Sequence, residues 1–486
     1  MNRTDGLGVV PRPHTGDAGP EADGAAGRGT GGRSPGRAGN GTGTGSGTQE
    51  FHDALFASLP RRDQRLKGEQ YLRGLRVARG RKSIRNIAAH LGEAAMEQSL
   101  HHFISSSTWD WTPVRAALAA RVAGSVAPHA LVVQPMAIVK TGEQSVGVDR
   151  AVDPRTGHAF RGQTALGVWQ TAPSLSVPVH WRLYLPDSWT TDPRRRRRAE
   201  IPAEVGAESL EESAVAAALE AVPLVPGPRR PVVLDLPVNR AGAVLRQFTA
   251  AGVPAVVRIT GEVRCTVEDP SLPGYGGGPL PARQVLAGVR SLRRPAAWTD
   301  PADPGTSRTS LVTTVRVGLP GGSPTSAAGG GALLFGEWAG PRTGPGADPY
   351  DAPTALWVTN TARVRAETLL RTTRLADRAT HALEHGGDAA GLRDFEGRSF
   401  RGWHRHITLA SAAQALAALA ELEGQRERAE SGPRVPVQRR AGGAAPAAGR
   451  ATRAALLAQA AEHPTGRAGM PVAAGARRGY PSALSA

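Results

Sequence analysis

Two apolar runs in this chain each carry one polar residue where a strand would end: LVVQPMAIV, with Gln134, and VVLDLPV, with Asp235. A carboxylate at a strand end is a ligand for a hard divalent cation, which takes oxygen donors. Two such cations, held by several acids, can activate an attacking oxygen and stabilise a leaving oxygen in phosphodiester chemistry. Asp235 suits that work, while the amide of Gln134 is uncharged and holds magnesium weakly. Asp235 equally suits a plain structural role, as a strand-end acid hydrogen-bonded to nearby backbone.

The elements that must position these two residues follow from pattern. After Leu131 come short strand-like runs, LVV, SVGVDR (145–150), QTALGVWQ (163–170) and VPVHWRLYL (177–185), broken by Gly or Pro, which predicts an antiparallel meander. A helix over 209–222, the VVLDL strand, a helix over 241–251 and the strand PAVVRI (254–259) then give crossover units with parallel strands. Strand patterns return at SLVTTVRVGL (310–319), GALLFGEW and TALWVTN, and helical patterning over 362–385 and 400–422.

Upstream, residues 51–128 read as helical, with Leu66, Leu72 and Leu75 expected along one face of a first helix. In SIRNIAAHLGEAAMEQSLHHFI, Ser83 is an expected N-cap and Gly92 an expected turn, the spacing of a helix-turn-helix or of an ordinary helical hairpin. Trp109 and Trp111 are expected as packing anchors.

The chain carries 59 Lys and Arg against 42 Asp and Glu, a formal charge of +17. That excess favours a polyanion partner, nucleic acid first, although a GC-rich genome also writes arginine freely. Cys265 is the single cysteine, which excludes an internal disulfide and a cysteine-based zinc site. The start, MNRTDGLGVV, lacks an apolar signal segment, and no run approaches the roughly 18 apolar residues of a membrane span. The expectation is a cytoplasmic, nucleoid-associated protein with DNA as partner and no membrane; a homo-oligomer stays open. Residues 1–50 and 425–486, rich in Gly, Ala and Arg, are expected as tails without a fold, the second with a short helix over Ala451–Glu462.

The local wording also resembles a known family, the insertion-sequence transposases of the DDE superfamily, in the actinobacterial branch of DDE endonucleases. The resemblance runs from about Phe51 to Leu422. It is carried by VKTGEQSVGVDR (139–150), LYLPDSWTTDPRRRRRAEIP (183–202), VVLDLPVNR (232–240) and GLRDFEGRSFRGWHRHITLA (391–410). It implies an RNase H-like mixed sheet with flanking helices over 129–424, a β-rich insertion at about 260–360, and a helical DNA-binding region over 51–128.

The resemblance further implies three converging acids, with Mg²⁺ as the cofactor of an active enzyme. The first falls on Gln134 and the second on the retained Asp235. Counted back from GLRDFEGRS, the third falls near Thr380, with Glu384 one helical turn on as a candidate substitute and Glu396 as a structural residue. Two of three acids are thus replaced, so the expected function is DNA binding without DNA cleavage and strand transfer, and without a cofactor. The alternatives are an active transposase using Asp235 and Glu384, or a non-functional insertion-sequence remnant. Residues expected to contact DNA are Lys140, Arg401, His404 and the run Arg194, Arg195, Arg196, Arg197 and Arg198, placed in a loop. His404 with His406, and His101 with His102, have spacings unsuited to sharing a metal ion.

Overall fold

A computed structural model describes residues 43–92, 96–300, 305–321, 331–338 and 352–431. The helix expected over 451–462 and residues 1–42 of the first tail lie outside them. The described residues up to Arg428 form one compact unit.

Five helices come first: α1 (Gly43–Phe56), α2 (Arg62–Val77), α3 (Ile84–Leu91), α4 (Met96–Ser105) and α5 (Trp111–Ser125). α1 begins inside the segment expected to lack a fold, and residues 51–56 complete it by burying Phe51, Leu55 and Phe56. The Ser83 side chain accepts from the Asn86 backbone N–H at 3.2 Å, and Gly92 closes α3 with φ 83°. α2 and α3 approach closely because Gly74 has no side chain; a Cβ there would strike Ile87. On α2, Leu72 and Leu75 are buried, but Leu66 is 53% exposed, contrary to expectation. The reason is angular: Leu66 lies roughly 180° around the helix from Leu75 at about 100° per residue.

The meander follows as β1 (Ala130–Val139), β2 (Asp149–Val152), β3 (Ala159–Ala172) and β4 (Leu175–Leu183). Two short helices come next, α6 (Asp187–Thr190) and α7 (Pro193–Ala199). The arginine run expected in a loop is therefore helical; Pro193 starts α7 and the Asp192 side chain caps it. Then come α8 (Leu210–Ala221), β5 (Val232–Val238), α9 (Ala241–Ala250) and β6 (Ala255–Ile259). Ser209 and Glu212 form a capping box at the start of α8.

The insertion supplies β7 (Arg264–Val267), β8 (Leu280–Pro281), α10 (Ala282–Gly288), β9 (Arg294–Thr299), β10 (Ser307–Gly318), β11 (Ala332–Trp338) and β12 (Ala355–Thr359). Three helices close the fold: α11 (Ala366–Ala382), α12 (Asp388–Ala390) and α13 (Phe400–Ser431).

One mixed sheet runs through these elements. β1 pairs antiparallel with β3 and parallel with β5, and β5 pairs parallel with β6. β4 lies beside β3, and the insertion joins through β12, antiparallel to β6. This is the RNase H-like α/β architecture expected, with the β-rich insertion continuing the same sheet.

Strand alternation sorts the two faces. Leu131, Val133, Val232 and Leu234 pack toward α8 and α9. Val132 and Val233 belong to the opposite core, with Leu369, Ala376 and Ala379 of α11 and Ile407 of α13. Gln134 and Asp235 share the parity of Val132 and Val233, so both emerge on the α11 face.

Three histidines are buried among these elements. Nε2 of His406 donates to the Gly391 carbonyl at 2.8 Å, so its Nδ1 accepts from the Tyr71 hydroxyl, also at 2.8 Å. His180 and His404 flank the buried guanidinium of Arg115, at 3.4 and 3.1 Å. Burial pulls His180 and His406 down to about 4, and burial with Arg115 nearby takes His404 well below its ordinary value. A histidine whose folded value is depressed binds protons on unfolding, so its contribution is complete above pH 6.5 and falls away as pH drops toward 4. For each of His180 and His406 the loss by pH 5 is about 2 kcal/mol. We expect the urea midpoint to fall between pH 7 and pH 5, and His406→Gln to flatten that dependence when the two titrations are compared.

Candidate functional site

Backbone pairing between β1 and β5 ends at Val133↔Leu234. The next residues on the two strands are Gln134 and Asp235. Gln134 is 1% exposed, and its carbonyl oxygen accepts from the Thr380 hydroxyl of α11 at 3.0 Å. Asp235 is also buried and accepts from Arg258 Nη1 of β6 at 2.9 Å. The three positions inferred from the sequence are thus brought to one place, where β1 and β5 part and α11 packs over them; the strand end expected at Gln134 is corrected, since β1 stays paired with β3 through Val139.

Asp235 and Thr380, but not Gln134, border a cavity of about 520 Å³, lined also by Arg258, Trp357, Arg374 and Glu384 among others. Its acids are already engaged. Asp235 pairs with Arg258, and Glu384 lies 3.8 Å from Arg155. Glu337 of β11, 3% exposed, pairs with Arg374, which also holds Asp377 at 2.8 Å. Asp153 accepts from the Arg155 backbone N–H at 2.9 Å and from the Thr156 hydroxyl at 3.1 Å. Glu384 sits in a π-helical turn, Leu383–Gly387, that continues α11. The wider turn changes the helix register there, but Glu384 remains largely exposed and turned to Arg155.

A pair of divalent ions does not fit this donor set. Three convergent carboxylates are needed, and the positions hold an amide, a hydroxyl and a carboxylate bound to a guanidinium. Among the described residues, no group of three or more His, Cys, Asp or Glu side chains could hold a metal ion. Arg258 is the feature that sequence reasoning missed. Parity with Val256 put Arg258 on the α11 face, and the pairing of β6 with β5 brings it beside Asp235.

The residues expected to touch DNA are placed unequally. Arg401 is exposed. On α7, Arg196 donates to the carbonyls of Thr190, Pro202, Ala203 and Val205, and so is structural. Arg195 lies 3.8 Å from Asp192, and Arg195 and Arg198 rest over the Trp189 ring. Arg194 and Arg197 are exposed.

The ammonium of Lys140 donates to the Phe395 carbonyl at 2.6 Å, and burial with Arg81 nearby pulls it down to about 8. His404 is 4% exposed, stacked on Trp111 at 4.7 Å between ring centres. The DNA contact expected at His404 is therefore corrected: its ring is spent on the core. Glu396, expected to be structural, lies 3.2 Å from Arg81. Trp109 stacks on Phe103 and donates to its carbonyl, a packing anchor as expected, and Trp111 packs against both Phe400 and His404.

Residues 54–319 match the family model described as DDE superfamily endonuclease. The chain belongs to that family. The match includes the helical region from α2 onward, Gln134, Asp235 and Arg258, and ends before α11. No curated protein matches the chain.

Asp235 and Arg258 form an ion pair at 2.9 Å. Arg258 is about a third exposed, which screens the pair and limits its worth. We expect a double-mutant cycle of Asp235→Asn and Arg258→Gln, followed by urea unfolding at pH 7, to give a coupling energy of about 1 kcal/mol.

Proposed function

We propose that this chain is a transposase-type DDE family protein that binds DNA but does not carry out metal-dependent cleavage and strand transfer. The observation that carries the reading is the Asp235 carboxylate, 2.9 Å from a guanidinium, on the strand beside an amide that is itself bonded to the Thr380 hydroxyl. Magnesium binds where several carboxylate oxygens converge and their charge repays dehydration of the ion. Here the one retained acid is already neutralised, and the other acids lining the cavity each have partners of their own. Adding a doubly charged ion would set it against Arg258, Arg155 and Arg374. Like charges in a partly buried cavity repel more strongly than in water.

The DNA-binding half of the proposal rests on the family, on the formal charge of +17, and on exposed arginines at Arg194, Arg197 and Arg401. It does not need Lys140 or His404, whose side chains serve the fold. The competing reading, an active enzyme using Asp235 and Glu384, draws on the fact that both line one cavity.

A supercoiled plasmid carrying candidate terminal repeats, incubated with Mg²⁺ or Mn²⁺, separates the two. We expect no nicking above the buffer control. Cleavage that disappears in Asp235→Ala would overturn the proposal. Restoration tests the charge argument. Gln134→Asp with Thr380→Glu should bind Mn²⁺ poorly in a paramagnetic resonance titration, and adding Arg258→Gln should tighten binding about tenfold or more. Equal affinity with and without Arg258 would remove that residue from the explanation.

A further inference from the structure

The helix-turn-helix reading puts DNA against α4, the second helix of the motif. The charge lies elsewhere. The solvent face of α4 consists of Glu97, Gln98, His101 and His102, with no lysine or arginine. α2 instead exposes Arg62, Arg65, Arg73 and Arg76 at spacings that put them on one stripe. Leu66 and Val77 lie on the same stripe, 53% and 48% exposed, because the opposite face of α2 is filled by Gln64, Gly68, Tyr71 and Leu75.

The stripe is poorly neutralised. Asp63 faces Arg61 and Lys67 at 3.7 and 3.9 Å, while Arg65 donates to the Leu59 carbonyl at 2.8 Å. Among the described residues, Arg62, Arg73 and Arg76 have no carboxylate at ion-pair distance. Glu69 is the one acid on the stripe itself.

We propose that α2, not α4, is the helix that grips DNA, through the backbone phosphates of a duplex along the Arg62–Arg76 stripe. The inference rests on the DNA-binding reading above and specifies its surface. From residue 62 to residue 76 a helix rises about 21 Å, enough to reach phosphates on both sides of a groove about 12 Å wide. A straight, rigid line of guanidinium groups matches the regular charge of a duplex. A single strand would call for aromatic side chains on which bases stack, and the stripe has none, since Tyr71 faces inward. A membrane surface would call for a broad apolar face, and α2 offers only Leu66 and Val77. Contacts of this kind carry no base code, so the grip is expected to be indifferent to sequence.

The test uses the full chain and a fluorescent 30-base-pair duplex, with anisotropy followed across a salt series. The variants are Arg62→Ala/Arg73→Ala/Arg76→Ala on α2 and Gln98→Ala/His101→Ala on α4. All five side chains are exposed or project from the surface, and thermal melting checks that both variants fold. The α2 variant is expected to lose at least tenfold in affinity at 100 mM salt. Its salt slope should fall by two to three, at about 0.9 per phosphate contact. The α4 variant should stay within about twofold of the parent.

If the parent does not bind the duplex, the DNA-binding reading itself fails. If the parent binds and the α2 variant keeps its affinity and slope, or the α4 variant takes the loss, the reading stands and this inference falls. Vesicles containing phosphatidylserine form the last arm: binding that the α2 variant loses while duplex binding is unchanged would assign the stripe to a membrane instead.

Discussion

The carboxylate of Asp235 has a positive partner built into the chain. In an enzyme that uses two metal ions, acids crowd together and the ions supply the missing charge. Without ions such a cluster repels itself, and the cost rises with burial. Here the guanidinium of Arg258, on β6, supplies an opposite charge to Asp235. Arg374 does the same for the more deeply buried Glu337, and lies 3.9 Å over the Trp298 ring as well. The cavity stays open and polar, yet its charges close on one another.

That self-sufficiency extends to the junction between the helical region and the sheet. The stretch after Gly391 holds both. The Lys82 backbone N–H donates to Asp394 at 2.8 Å, and Arg81 meets Glu396. On the other side Lys140 donates to the Phe395 carbonyl, and Arg393 Nε donates to the Ala137 carbonyl at 3.3 Å. His406 ties the same stretch to α2 through Tyr71. Gly391 can serve as the pivot because its φ of 81° is open to glycine, and because a Cβ there would meet the Lys82 side chain. A run of contacts thus connects α2 to Ala137, near the end of β1.

Legibility in the sequence followed physical range. The strands β1, β5 and β6 and the helices α8 and α9 were readable, since alternation, caps and breakers are local. The meeting of Gln134, Asp235 and Thr380 was readable only through the resemblance, because the two strands and α11 are distant in the chain. Arg258 was missed although it lies in a strand that was read correctly. Its importance comes from a lateral neighbour, and lateral neighbours depend on strand order. The arginine run on α7 was misread as a loop: five like charges suggested a solvated turn, but Asp192 and Pro193 begin a helix and Arg196 cages four carbonyls. Leu66 was misread because leucine suggests a core, while its angle on α2 puts it in water.

These misreadings share a cause, and it bears on how the charge of the whole chain is understood. Arginine is the residue that the composition brings forward, yet its copies do different work. Arg115 and Arg405 are buried, bonded to carbonyls and neutral rings, and burial pulls them down to about 9 and about 10. Arg258 and Arg374 answer acids around a cavity. The exposed ones without an acid partner are those free to meet a polyanion directly. The net charge of +17 therefore says that a negative partner is favoured but not where it docks. That depends on which guanidinium groups the fold leaves unspent, and on α2 the packing of one face against α3 and α4 leaves the other face charged.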